Sequence, residues 1–220
     1  INEEDVKIFT DDTARVSVKD STGFVGIGTT QPTSSLHIYS QSSAANTTLI
    51  TLEKRVNSGD ISNESIFQDF TLRDSNSNSY PQVRIGMNVG NDDGDANTQD
   101  QEGAGAFVIH TNSGSSTNND QSNLLERVRV NHLGNVGIGT QKPTSLLHIS
   151  SSEGDHIKLQ RDNHDVWTIA LANSDRFQLR NQTDGESPFV IKDDTGNVGI
   201  GKSNGSQDEV TKTLEVGGDI

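Results

Sequence analysis

Several stretches of this 220-residue chain have the residue types and spacing that chemistry uses. Gly196-Asn-Val-Gly-Ile-Gly-Lys-Ser203 fits the phosphate-binding pattern G-x-x-x-x-G-K-[ST], which works by opening a helix whose first amides hold phosphate. Here Lys202-Ser203 runs into Asn204-Gly205-Ser206-Gln207-Asp208, a poor helix start, and the same glycine frame occurs twice more without the lysine. Nucleotide binding is therefore not expected, and a dinucleotide reading of the paired glycines fails on the same ground. The acidic run Asn91 to Glu102 offers oxygens to calcium, and Asp93, Asp95 and Asn97 alternate as in an EF-hand. Thr98 stands where that loop requires glycine and Ala104 where it closes with Glu, so a solvated loop is expected. Asp92, Asp93 and Asp95 are kept, with the neighbouring-loop residue Tyr80, as candidate ligand or receptor contacts.

His37 and His148 hold equivalent places in a repeat, and three symmetry copies of an imidazole can hold a metal. With no His-x-His pair to build a fuller shell, packing or exposure is the expected fate of both. Trp167 offers a flat ring to a sugar, yet its period-two partners Ile169 and Leu171 predict a core position. The four N-x-[ST] sequons at Asn46, Asn63, Asn181 and Asn204 match the roughly four that 20 asparagines would produce by chance here, so they add nothing for glycosylation. There is no cysteine nucleophile, and no Ser/His/Asp order or paired-carboxylate context stands out in so Asp-rich a chain. The expectation is a non-enzyme without cofactor or metal.

The elements that would position these residues are β-strands. Apolar residues make up 29% of the chain, or roughly 38% with its 21 glycines, below the ~45–50% of ordinary soluble domains. Such a chain struggles to bury a core alone, which points to burial between chains. Its segments keep a period-two alternation, so it is expected to fold, with long polar loops. A net charge of -14 without any local basic cluster argues against nucleic acid. No apolar run approaches the ~20 residues of a spanning helix, so no membrane insertion is expected, and no signal peptide is visible. Beginning at Ile1 and stopping at Gly217-Gly218-Asp219-Ile220, the chain is expected to be a processed product or an excerpt of something longer.

The dominant signal is a repeat. Gly23-Phe-Val-Gly-Ile-Gly-Thr-Thr-Gln-Pro-Thr-Ser-Ser-Leu-His-Ile38 returns as Gly134-Asn-Val-Gly-Ile-Gly-Thr-Gln-Lys-Pro-Thr-Ser-Leu-Leu-His-Ile149, and a third copy opens at Gly196 and ends in Leu214-Glu215-Val216. Each is preceded by a strand-like lead-in: Arg15 to Asp20, Arg127 to Asn131, Phe189 to Asp193. Alternation in Val136-Gly137-Ile138-Gly139 sets two apolar side chains against two bare glycines, and a glycine face admits another backbone closely. That backbone is expected to belong to a neighbouring subunit. Pro32 and Pro143 end the strand, and Leu147 and Ile149 resume it. The third copy lacks the proline, and its second strand is delayed by a longer acidic loop. The trimer-forming set is thus Gly26, Gly28, Gly137, Gly139, Gly199, Gly201, Val136, Ile138, Leu147 and Ile149.

The phrase G-N-V-G-I-G-T-x-x-P-x-x-x-L-H-I behind a strand ending E-R-V-R-V resembles the connector repeated along trimeric tail-fibre and adhesive-fibre proteins of phages and large viruses; similar fibres occur on some predatory bacteria. The resemblance is close over the three connectors, about a quarter of the chain, and loose over Val83 to Gly86 and Ala106 to Thr111. In that family a self-cleaving intramolecular chaperone often follows; none of its catalytic residues lies in this chain.

Repeat starts lie 111 and then 62 residues apart, so different modules are strung on one connector. Alternation at Ile50/Leu52, Ile66/Phe70/Leu72, Val83/Ile85/Met87/Val89 and Phe107/Ile109 predicts a β-sandwich or jelly-roll-like module over 45–132. Ile157/Leu159, Trp167/Ile169/Leu171, Phe177/Leu179 and Phe189/Ile191 predict a β-meander over 151–195, with a type I′ turn at Asp184-Gly185. The remaining divisions are 1–44, with the first connector, 133–150, the second, and 196–220, the third. The expected architecture is all-β: an elongated homotrimeric fibre whose modules are joined by intertwined glycine-rich connectors. The expected role is a structural segment of a virion tail or surface fibre, or of an extracellular fibre. Loops 57–65, 74–81, 90–103 and 111–123 would face a host receptor or glycan. The alternative is a carbohydrate-binding adhesin module.

Overall fold

The computed structural model describes residues 5–56, 61, 64–73, 75, 80–89, 104–114, 123–152, 154–172, 176–192, 196–201 and 214–216. Among them the protein is all-β, in two units, Ile1–Arg55 and Val56–Ile220. The first unit holds one sheet of four strands in chain order: β1 (Val6–Thr10), β2 (Thr13–Val18), β3 (Val25–Ile27) and β4 (Leu36–Ile38). Asp11 and Asp12 join β1 to β2 with φ of 50° and 55°, the pair of left-handed residues that a two-residue hairpin turn matching strand twist requires.

The second unit holds two six-stranded sheets. One runs β5 (Ser65–Phe70), β6 (Val83–Val89), β7 (Gly105–Asn112), β8 (Leu124–Val130), β9 (Val136–Ile138) and β10 (Leu147–Ile149). The other runs β11 (Asp155–Gln160), β12 (Val166–Ala172), β13 (Arg176–Asn181), β14 (Glu186–Lys192), β15 (Val198–Ile200) and β16 (Leu214–Val216). Within each sheet, neighbours in sequence are neighbours in space. The sandwich expected over 45–132 is replaced by one antiparallel layer, because β5 to β8 pair serially and continue into β9. The divisions at 132/133 and 195/196 fall inside sheets, since each connector is hydrogen-bonded to its module. Ile50 and Leu52, expected in a strand, belong to none. The Asp184-Gly185 turn is a four-residue connection in which only Gly185 is left-handed (φ 76°), so it is not type I′.

The repeat has one structure three times. A lead-in strand turns at a glycine with positive φ, Gly23, Gly134 or Gly196, and returns antiparallel as Val-Gly-Ile. The chain then crosses to the far side of that strand and pairs with it in parallel: Gly26 opposite His37, Gly137 opposite His148, Gly199 opposite Glu215. Parallel neighbours usually need a dozen or more connecting residues, whereas eight separate β3 from β4 and β9 from β10. The longer third loop leaves the register unchanged, which shows that the pairing, not the loop length, is the invariant.

So short a crossover must hug the sheet, and glycine makes the room. A Cβ on Gly137 would lie 2.6 Å from the Thr140 carbonyl oxygen, and one on Gly26 would collide with the Thr29 carbonyl. A second pair, Gly28 and Gly139, has φ of 74° and 73° and lies against the backbones of Tyr39 and Ser150. The backbone that approaches the glycines is therefore the chain's own. The expectation of a neighbouring subunit on this face is corrected: the crossover already fills it.

Gly134 has the same left-handed backbone with nothing near its absent side chain. Gly134→Ala should cost about 1–2 kcal/mol from φ alone, and Gly139→Ala about 1–3 kcal/mol beyond that from overpacking against Ser150. Urea unfolding of the two variants checks the ranking, which equal costs would refute.

Candidate assembly surface

Residues paired across a sheet point to the same side, so the registers sort side chains onto faces. In the β5–β10 sheet one face carries Ile66 and Phe70, Val83, Ile85 and Met87, Phe107 and Ile109, Val128 and Val130, Val136 and Ile138, Leu147 and Ile149. Gln68 and Thr111 are its polar members and Val89 is buried, but most of it is apolar and open: Phe107 is 49% exposed and Ile138 41%. The opposite face holds Gly86, Val108, Arg129 and Gly137 in one row, and Val108 and Arg129 are 0% and 1% exposed. The more buried face is thus the mixed one, and the more apolar face is the more exposed, against the usual preference.

The other sheets repeat the inversion. In the first unit Val6, Ile8, Ile27 and Leu36 lie exposed on the apolar face, while Ser17, opposite Gly26, is fully buried. In the last sheet Leu159, Trp167, Leu171, Phe177, Leu179 and Ile200 are exposed on one face, and Thr168, Ala170, Gln178 and Val190 are buried on the other. Trp167 does share a face with Ile169 and Leu171, but that face is uncovered in the single chain.

Polar side chains and the crossovers do the covering. Arg129 makes two bonds to Glu126, Nε to Oε1 at 2.8 Å and Nη2 to Oε2 at 2.9 Å, in a pair that water barely reaches. Across the strands runs the row Asp69, Arg84, His110, Glu126. Arg84 forks onto Asp69 at 2.6 and 2.8 Å and lies 4.5 Å from the centre of the Phe67 ring, which meets His110 edge to face at 5.5 Å. The Arg84 hydrogen bonds hold the Asp69 carboxyl below its ordinary value.

The polar letters of the repeat are spent inside the crossover. Thr29 and Thr140 hydroxyls accept from the amides of Gln31 and Lys142 at 3.1 Å. The amides of Thr33 and Thr144 donate to Nδ1 of His37 and His148 at 3.4 Å, and the hydroxyls of Ser34 and Ser145 donate to the carbonyls of Leu36 and Leu147. Both histidines thus brace the loop, on the glycine face and away from the open apolar one. Asn131 was not singled out by sequence, yet its Oδ1 accepts from the amides of Leu133 and Asn135 while Asn135 Nδ2 donates to the Pro143 carbonyl. The signal was Asn-x-x-Gly-Asn, a side chain able to cap its own turn.

Of the predicted connector set, Gly26, Gly137 and Gly199 are buried, and Val136, Ile138, Leu147 and Ile149 gather on the apolar face. Gly28, Gly139 and Gly201 each donate an amide hydrogen bond back to the lead-in strand, at Arg15, Arg127 and Pro188. Residues 196–201 are a turn and a strand, and Lys202 and Ser203 of the phosphate-loop pattern lie outside the described residues. Asp92, Asp93 and Asp95 lie outside the described residues, as do Asn63, Asn204 and most of the predicted receptor loops. Tyr80 is exposed beside the buried Pro81. Asn181 is buried and bonds Asp165 and Asp184, which closes that sequon in the folded chain. Among the described residues no group of three acidic or histidine side chains is placed to hold a metal, and no helix is long and apolar enough to cross a membrane. No protein-family model and no curated protein sequence matches the chain.

Burial pushes the His110 imidazole below its ordinary value; Glu126 pulls it upward, while Arg84 and Arg129 reinforce the drop. The unfolded chain therefore binds the proton more readily, so this stability is whole above about pH 6.5 and is lost as pH falls from there through the depressed value. Unfolding midpoints should drop between pH 7.5 and 5.5, above the range where Asp69 titrates, and His110→Phe should flatten that part of the profile. An unchanged slope in the variant would assign the effect elsewhere.

Proposed function

We propose that the chain is a structural segment of a homotrimeric fibre of the viral or phage-tail type, serving as a stiff shaft with presented surface and not as an enzyme. The observation that carries this reading is the open apolar face on each of the three sheets. Contiguous apolar surface of this kind marks sites of association in soluble proteins.

The magnitude favours association over exposure. Fully burying a large apolar side chain is worth roughly 1.5–3 kcal/mol, so covering the exposed half of one is worth about 1 kcal/mol. Phe70, Met87, Phe107, Leu125, Ile138 and Leu147 are all in that state on the middle sheet. Together they rival the ~5–15 kcal/mol net stability of a typical domain. Three copies of a sheet, each turning its apolar face to a common axis, would bury these side chains, leaving the crossovers and the Asp69–Arg84 pair outside. The glycine-rich connectors resembling those of fibre proteins support the same role. The long polar loops are the receptor-facing surface in this reading.

Sedimentation or light scattering on the full chain should give three chains per particle. Phe107→Asp and Ile138→Asp, half-exposed in a single chain, should shift particles toward monomers, whereas Lys158→Ala should not. A wild-type monomer at micromolar concentration would overturn the proposal.

A further inference from the structure

The ion pairs formed among the described residues, Lys7 and Lys19 with Asp5, Arg84 with Asp69 and Arg129 with Glu126, all lie in or beside the first two sheets. The polar face of the last sheet is built differently. Its registers place Lys158 and Arg180 on either side of Thr168, and Arg176 directly opposite Lys192. Arg176 and Arg180 flank Gln178 on one strand, so four cations surround a floor of Thr168, Ala170, Gln178 and Val190, all buried. Among the described residues none of the four cations has an ion pair or a side-chain hydrogen bond. Asp155 and Glu215, the acidic residues that register puts on this face, stand on the two edge strands.

Two observations separate this face from an ordinary solvated one. Like charges directly opposite on neighbouring strands destabilise a sheet, yet Arg176 faces Lys192. Arg176 and Arg180 are half-buried, and the Nε of each is out of water without an acceptor, so neither guanidinium is neutralised from within the fold. An oxyanion held among these cations offsets both costs. We propose that this face binds an acidic polysaccharide, whose carboxylates or sulfates are taken up by Arg176, Arg180, Lys158 and Lys192. Arginine forks suit such groups, and lysine adds a mobile point charge. The four cations lie on β11, β13 and β14, outside the connector strands β15 and β16. No Phe, Tyr or Trp shares the face among the described residues of these strands, so it lacks the stacking platform of single-stranded nucleic acid and the apolar anchor of a protein partner. A nucleic-acid duplex, with one charge per ~1.7 Å, is repelled by the net charge of -14 more strongly than a sugar polymer with sparser charges. In the trimeric reading the apolar face turns to the axis and this one outward, so the proposal rests on that reading and gives the receptor chemistry within it.

Titration calorimetry of the full chain against heparin, polygalacturonate, neutral dextran and inorganic polyphosphate, run beside sedimentation on the same sample, tests this. At least one of the two acidic polysaccharides should bind, and dextran should not. The double variant Arg176→Gln, Arg180→Gln should bind about 10-fold more weakly or worse, whereas Lys54→Gln, Arg55→Gln, which removes the same charge from an exposed segment elsewhere, should bind as the wild type does. Should the first variant fail to fold, the wild-type chain still reports: the Nε–H resonances of Arg176 and Arg180 should shift on adding the bound polysaccharide and stay fixed with dextran. Trimers that bind neither acidic polymer, or bind them equally after the double substitution, would overturn the inference and leave the trimeric reading standing. Binding of polyphosphate alone would overturn the polysaccharide assignment. Monomers that bind through Arg176 and Arg180 would uphold the surface and overturn the trimeric reading.

Discussion

A single layer of strands has two faces, and this chain carries enough of its own material to cover one. The connectors lie across the glycine side, and arginine, glutamate and histidine side chains spread over what remains. Most of the valine, isoleucine, leucine and phenylalanine side is left open. The buried set is correspondingly small and mixed: Val89, Ala106, Val108, Ala170 and Val190 beside Ser17, Arg129, Thr168 and Gln178. Folding of the single chain thus sets the hydrogen bonds and the registers, and leaves much of its large apolar surface uncovered.

The repeat is best understood as the smallest unit that brings a strand back in parallel beside its predecessor. Eight residues accomplish it because the path runs directly over a glycine and because its amides and hydroxyls are satisfied within the loop. That explains why the motif combines glycine, threonine, proline, serine and histidine in a fixed order. It also explains how the third copy departs from the motif yet keeps the register: the pairing of Val198–Ile200 with Leu214–Val216 tolerates a longer path. The motif is a device of the individual chain, and it turns Val136, Ile138, Leu147 and Ile149 together toward the open side.

The polar side of the middle sheet is packed largely by side-chain contacts among charged and aromatic residues. Arg84 is held by Asp69 and stacked on Phe67, Phe67 abuts His110, and Glu126 clamps Arg129. Each member limits the rotamers of the next, and the network supplies the packing that apolar residues supply elsewhere. Its dependence on a neutral His110 couples it to pH in a range where the carboxylates stay ionised.

Local pattern determined a great deal by itself. Period-two alternation located nearly every strand, the glycine before each Val-Gly-Ile located the turns, and the described residues hold no helix, in keeping with the lack of helical periodicity. The equivalence of His37 and His148 followed from their place in the repeat, and both accept the equivalent loop amide. Only the tertiary structure decided what lies against each face. Alternation says which residues point the same way, but burial depends on chain far off in sequence, so the glycine face, read as a subunit contact, is covered by its own crossover. For the same reason Ile50 and Leu52 read as a strand and found no partner, the 45–132 module became one layer instead of two, and Asn131 emerged as the residue that ties the Gly134 turn to Pro143.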